Sequence, residues 1–216
     1  EGVAGSGGVH HLAAMMNGAG YSYPPGYGPN GLGLTANNNG KIIASRAYFR
    51  PWDPPAPGDE NPWPGENGTE HGMHTSSTAA GEIVTATYNG FTVGTISGVA
   101  PKAYVMSYRV FYDSVNHDGS FYNTEGIAAL EDIVRDGADV VNNSWGGGPS
   151  SSGGEFDALD QALINATKAG VFVSMSNGNA GPNLGTGDHP SDDYINVAAS
   201  TTGGTLAVGS VRVPSA

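Results

Sequence analysis

The sequence lacks cysteine, has few basic residues and contains no long apolar run. Without cysteine, the chain can have neither a disulfide framework nor a thiol nucleophile. Eight basic and twenty acidic residues give a formal net charge of −12, which argues against a nucleic-acid partner because phosphate binding needs a basic surface. No apolar run is long enough to cross a bilayer, so we expect no membrane partner. The acidic charge suits a secreted or extracellular protein, although cytosolic chains can also be this acidic.

Glycine and proline are abundant instead, with 35 and 14 residues in a chain of 216. They predict many tight turns between short elements of secondary structure. Residues 1–40 and 50–70 are the richest in turn-forming residues, and we expect both to be loops. The length fits one domain with a hydrophobic core, and the sequence shows no internal repeat and no linker.

Between the loops, segments with strand character alternate with segments of helical periodicity. The predicted strands are residues 41–47, 91–99, 104–110, 139–144, 170–174 and 195–199, and we expect the strand 170–174 to be buried. The predicted helices are residues 75–81, which should be short and buried, 123–135 and 156–168, with Asn123 or Thr124 capping the second. This alternation predicts an α/β fold with three layers, in which a mostly parallel central sheet carries helices on both faces. Such sheets bind ligands in the loops that follow the strands.

Residues 71–81 (HGMHTSSTAAG) place His71 just before a predicted helix of small residues. An imidazole titrates near neutral pH, so it can accept and return a proton within one reaction cycle. The small residues behind it let another chain approach closely. The alternatives are a histidine that caps a helix or packs in a core, and a metal site with His74. The spacing of three and the lack of an intervening glutamate argue against the metal site.

Three further segments accompany this motif in order along the chain: residues 98–103 (GVAPKA), 139–147 (DVVNNSWGG) and 170–182, which end in SNGNAGP. Together with residues 70–81 they resemble the subtilases, the subtilisin-like serine proteases of peptidase family S8. The resemblance covers roughly residues 41–201. The motif sequences are most similar to those of the branch that carries a protease-associated domain insert. It implies that residues 1–216 are part of a subtilase catalytic domain.

The resemblance also implies roles for individual residues. His71 would be the general base and acid of a Ser-His-Asp triad, and the Asn179 side chain would donate to the oxyanion. An asparagine in a left-handed turn is the alternative for Asn179. Trp145 would form part of a pocket wall, or it simply covers the sheet edge. The residues assigned to peptide-substrate binding are Ser144, Trp145, Gly146, Asn177 and Gly178.

Residues 142–146 (NNSWG) also resemble the nucleophile elbow of another hydrolase class, with its first glycine missing. An elbow needs a helix directly after the serine. Glycines and a proline follow Ser144 instead, so we do not expect this serine to be a nucleophile.

Two members of the triad are not found in the sequence. The family places an aspartate in a D-[ST]-G motif before the histidine, but the first aspartate here is Asp53, in a proline-rich loop. No serine lies in the G-T-S-[MA]-A setting of the family nucleophile. We therefore expect an incomplete catalytic domain, inactive alone, whose partner is the remainder of the protease with the nucleophilic serine.

Two other function classes remain open. A subtilase-like chain without a complete triad could serve as a structural or self-assembling subunit. A nucleotide-binding domain would need a phosphate loop, and residues 146–154 match neither common pattern.

No motif demands a cofactor, although acidic side chains could hold calcium. The candidates are Asp188, Asp192 and Asp193, for which a charged surface turn is the alternative. The His10–His11 pair is a weaker metal candidate. The family resemblance also suggests a cis peptide bond before Pro190.

Overall fold

A computed structural model describes residues 14–60, 71–88, 90–118, 121–149 and 154–200. Helices and strands alternate through these ranges as the sequence predicts. In chain order the elements are β1 (Leu32–Gly33), β2 (Ile42–Ala47), α1 (His71–Ala80), β3 (Val84–Tyr88), β4 (Phe91–Ile96), β5 (Val105–Arg109), α2 (Asn123–Arg135), β6 (Val140–Asn143), α3 (Ala158–Lys168), β7 (Phe172–Ser176) and β8 (Ile195–Val197). None of the helices in the described ranges has the length and apolar character that a membrane-spanning helix needs.

The strands within the described ranges pair mainly in parallel. Strands β1, β2 and β5 form one parallel sheet, and β6, β7 and β8 form a second. Strands β3 and β4 form an antiparallel hairpin, of which the sequence predicted only the second strand. The predicted α/β fold with mostly parallel strands and flanking helices is confirmed.

The main hydrophobic core lies between helices α2 and α3 and one face of the second sheet. Val141 and Val173 point into it, whereas their neighbours Val140 and Phe172 are 61% and 52% exposed. This alternation is the two-residue period of a strand with one buried face. Residues 170–174, predicted to be wholly buried, are therefore buried on one side only. The helices contribute Leu130, Ile133, Leu159, Leu163 and Ile164.

The helix ends differ in part from the predicted ones. Helix α2 has Tyr122 at its N-cap position with no side-chain cap, and the Asn123 side chain donates to Asp157 instead. The predicted cap is thus wrong. Asp157 caps α3 by accepting from the N–H groups of Leu159 and Asp160, which orders the start of that helix.

The first described residues pack more closely than a loop-rich region suggests. Met15 and Met16 are buried, and the Glu82 N–H donates to the Met15 carbonyl. Part of residues 1–40 therefore belongs to a packed core. A second difference concerns proline, because the cis peptide bond precedes Pro182 rather than Pro190.

A buried carboxylate ties the first sheet to helix α2. Arg46 on β2 donates two hydrogen bonds of 2.8 Å to Asp136, and the Tyr108 hydroxyl on β5 donates a third. Burial raises the pKa of Asp136, but these donors outweigh burial and hold the pKa below its ordinary value. The ionised form is therefore favoured in the folded protein.

We expect Asp136→Asn to lower the free energy of unfolding by about 2 kcal/mol at neutral pH, because Arg46 and Tyr108 lose a charged acceptor. A pKa depressed by folding contributes stability above the unfolded value and loses it as pH falls through the folded value. Denaturant titrations should thus show the difference from wild type shrinking below a pH of about 4. Asp139→Asn, an exposed change of equal charge, is the control. A difference that does not vary with pH would contradict this role.

Candidate active site

Helix α1 carries the histidine motif, and His71 is its first residue, with an exposed side chain. The helix starts four residues earlier than predicted. Only Ser77 and Ala80 in it are buried, so the prediction that residues 75–81 form a buried helix is wrong. The hydroxyls of Ser76 and Thr78 donate to carbonyls one turn back, which lets these polar side chains sit within a helix. Glu70, the first residue of the motif, lies outside the described residues.

The end of α1 meets the segment before β5 backbone to backbone. The N–H groups of Val99 and Ala100 donate to the carbonyls of Thr78 and Ala79, at 3.0 and 2.8 Å. A Cβ on Gly98 would lie only 2.4 Å from the Gly81 nitrogen, so any larger residue at position 98 would force the two segments apart. The close approach therefore comes from within this chain, and it fixes the helix that begins with His71.

The segments that follow β6 and β7 form a cleft of about 450 Å³. Both strands are parallel neighbours, so their carboxyl ends lie at the same edge of the sheet. This is the place where parallel sheets generally bind ligands. The residues that line the cleft are Ser144, Trp145, Gly146, Gly148, Ser176, Gly178, Asn179, Ala180, Thr186 and Asp188.

The structure brings five of the seven predicted site residues into this cleft: Ser144, Trp145, Gly146, Gly178 and Asn179. The other two predicted site residues, Asn177 and His71, do not line the cleft. Asn177 lies against Gly187, and its N–H donates to the Val197 carbonyl. His71 is at the start of α1, on a different element.

The Ser144 side chain is hydrogen-bonded to a residue of the preceding strand. Its hydroxyl accepts a hydrogen bond of 2.9 Å from the Asn142 side chain, and residues 144–149 contain no helix. The nucleophile elbow that residues 142–146 resemble is therefore not formed.

Trp145 joins the cleft to the hydrophobic core. Its ring lies 4.7 Å from Phe121 and meets His189 edge-on at 5.5 Å between ring centroids. His189 is buried and pairs with Asp160 through Nδ1 at 2.6 Å. Trp145 thus lines the cleft and also packs against the hydrophobic core.

On the substrate-binding role expected from the sequence, replacing Trp145 by alanine in the protein from its full reading frame should change which peptide side chains are preferred, because the ring forms part of the cleft lining. It should also lower the free energy of unfolding by about 2 kcal/mol, because the ring packs on Phe121. Cleavage profiles on a peptide library and denaturant titrations measure the two effects. Trp52→Ala, at a tryptophan that is 64% exposed and outside the cleft, is the control. An unchanged preference would remove Trp145 from the binding surface.

Asp188 also lines the cleft, although the sequence indicated it only as a calcium candidate. It is 2% exposed, whereas Asp192 and Asp193 are exposed. No group of three or more histidine, cysteine or acidic residues that could hold a metal occurs in the described ranges. Calcium binding by these aspartates gains no support, and the His10–His11 pair lies outside the described residues.

The known proteins to which this chain is similar include several subtilisin-like proteases. Subtilisin-like protease SBT1.3 of Arabidopsis thaliana is 34% identical over 188 residues, which are 83% of this chain and 23% of that protein. Subtilisin-like protease SBT1.4 of Arabidopsis thaliana is 32% identical over 179 residues, which are 80% of this chain and 22% of that protein. The chain therefore spans about a quarter or less of these relatives.

Among solved structures, sphericase is similar with a TM-score of 0.47 and 20% identity, over 90% of this chain and 62% of that chain. The family model described as the subtilase family, Peptidase S8, matches residues 32–216, well over half of the chain. This match shows that the chain belongs to the subtilase family.

Proposed function

We propose that this chain forms part of the active site of a serine endopeptidase that hydrolyses peptide bonds with a Ser-His-Asp triad. The observation that carries the proposal is the cleft at the carboxyl ends of β6 and β7. The two segments that form it are those in which the sequence places substrate binding and the oxyanion donor. Family membership supports a protease, while the activity of the whole protein remains a proposal because the chain spans only part of its relatives.

The substrate is a peptide or protein in extended form. Residues 144–146 follow directly on strand β6 and would pair with the substrate backbone as an added strand. Main-chain pairing gives affinity without reading sequence, and the neighbouring cleft then selects a side chain.

His71 moves the proton in this proposal. As the serine oxygen bonds to the substrate carbonyl carbon, the hydroxyl proton passes to the imidazole. The same proton then goes to the leaving amine as the carbon–nitrogen bond breaks. Water, deprotonated by the imidazole, releases the acyl group and restores the serine. The exposed position at the start of α1 leaves the His71 ring accessible for these transfers.

Asn179 stabilises the charge that forms on the carbonyl oxygen. Its side chain is exposed in the cleft, where the amide can donate to that oxygen as the carbon becomes tetrahedral. A donor fixed at the position where charge develops stabilises the transition state more than the bound substrate.

The second candidate is a structural or self-assembling subunit with an incomplete triad. The observation in its favour is that neither a D-[ST]-G aspartate nor a G-T-S serine occurs in the 216 residues.

A fluorophosphonate probe distinguishes the two candidates, because it reacts with activated serines. The protein expressed from its full reading frame should be labelled on one serine that is not in residues 1–216. Peptide mapping by mass spectrometry identifies the site. Labelling of Ser144 would contradict the assignment, and no labelling together with no peptide cleavage would favour the structural subunit.

We also propose that the protein acts outside the cell. The net charge of −12 suits that setting, and the relatives named above are plant subtilisin-like proteases. From the sequences of residues 75–78 and 178–182 we propose that the whole protein carries a protease-associated domain insert.

A further inference from the structure

Asp188 gives the cleft its charge. Of the ten described residues that line the cleft, it is the one with an ionisable side chain, and none of the others is basic. Three of the ten are glycines, which place no side chains in the cleft. Asp188 is 2% exposed, and a charge shielded from water acts more strongly than one on an open surface.

The carboxylate is held between the two walls of the cleft. It accepts a hydrogen bond of 2.9 Å from the Gly148 N–H. Its Oδ2 lies 2.1 Å from the position that a Cβ on Gly146 would take, and 3.3 Å from that of a Cβ on Gly178. The carboxylate therefore fills space that side chains at these glycines would otherwise occupy. Hydrogen bonds from N–H groups to a carboxylate are charge-assisted and fix its position.

The dimensions fit a long side chain. A cleft of about 450 Å³ lies within the usual range for small-ligand sites. The Trp145 ring offers apolar surface for an aliphatic stem, and Asp188 offers the charge for its end. Lysine and arginine combine these two parts in one side chain.

We propose that the cleft selects substrates with an arginine or lysine side chain, and that Asp188 is the residue that determines this specificity. The inference rests on the proposed protease function. Because Asn179 lines the same cleft, the selected side chain belongs to the residue whose carbonyl is attacked. The net charge of −12 would add to the attraction of cationic peptides.

The test compares two peptides that differ at that one residue, arginine in one and its neutral isostere citrulline in the other. The wild-type protein from the full reading frame should cleave the arginine peptide with a kcat/KM about 10–100-fold higher, the size expected for one charged hydrogen-bonded contact. Asp188→Asn should bring the ratio close to one. Asp192→Asn removes the same charge from an exposed position near Asp188 and should leave the ratio unchanged.

Binding of the same two peptides, measured by calorimetry, separates this inference from the proposed function. Binding selective for arginine without any cleavage would contradict the protease function and support the role of Asp188. Cleavage without preference for arginine, or an unchanged preference in Asp188→Asn, would overturn the role of Asp188 alone. Should Asp188→Asn fail to fold, the wild-type comparison still decides, because a ratio near one overturns the inference.

Discussion

Replacing His71 by alanine should lower kcat by about 10²–10⁴-fold, the range that a general base contributes to catalysis. Without the imidazole, the nucleophile would lack the base proposed to take its proton. KM should change little, because the ring does not line the cleft that contains Asn179. Steady-state kinetics on a fluorogenic peptide, with the protein from its full reading frame, measure both quantities.

His74→Ala is the matched control for this change. His74 is also exposed and lies one turn further along the same helix, so its loss should leave kcat nearly unchanged. Equal losses in the two variants would mean that the helix, and not the His71 imidazole, supports activity.

Replacing Asn179 by alanine should lower kcat by about 10²–10³-fold, the loss reported for removing an oxyanion asparagine from subtilisin. The amide acts on the charge that develops during the reaction, so KM should remain within about twofold. The same peptide assay separates the two constants.

Asn183→Ala controls for the loop in which Asn179 lies. Asn183 is exposed four residues further on and is not in the cleft lining. Its replacement should preserve both constants. If Asn179→Ala instead raised KM as much as it lowered kcat/KM, the side chain would bind ground state and transition state equally, and the oxyanion role would be lost.

Much of the fold could be predicted from the spacing of hydrophobic residues along the chain and from the turn-forming residues between the elements. The helices around Leu130 and Leu163 could be predicted because apolar residues recur at helical spacing, and Gly137 and Gly170 follow their ends with φ of 81° and 100°. The strand Val84–Tyr88 was missed although its sequence, VTATY, alternates apolar and polar residues as a strand does. Its pairing with β4 comes from contacts between segments, which local patterns do not contain.

The burial of single elements was harder to predict. Small residues in α1 suggested a buried helix, yet their role is to admit the Gly98 backbone at one end while most of the helix surface stays exposed. Met15 and Met16 lie in a glycine-rich region, and their burial depends on the segment around Glu82. Such packing between distant parts of the chain leaves no local signature.

The candidate site was predictable where motif residues follow strands. Ser144 follows β6 directly and Asn179 comes three residues after the end of β7, so parallel pairing of those strands brings both to one cleft. Asp188 was not predictable, because it reaches the cleft from a loop with no regular period and packs where Gly146 and Gly178 have no side chains. Asn177, one residue before Gly178, is outside the cleft lining, and its side chain lies against Gly187.

The central claim is that His71 and Asn179 act on one substrate carbonyl. A crystal structure of the protein from its full reading frame with a peptidyl boronate, which mimics the tetrahedral intermediate, tests it directly. We expect the His71 imidazole and the Asn179 amide each within about 3.2 Å of the boronate oxygens. A boronate bound in the cleft with either side chain beyond the reach of a hydrogen bond would contradict the claim.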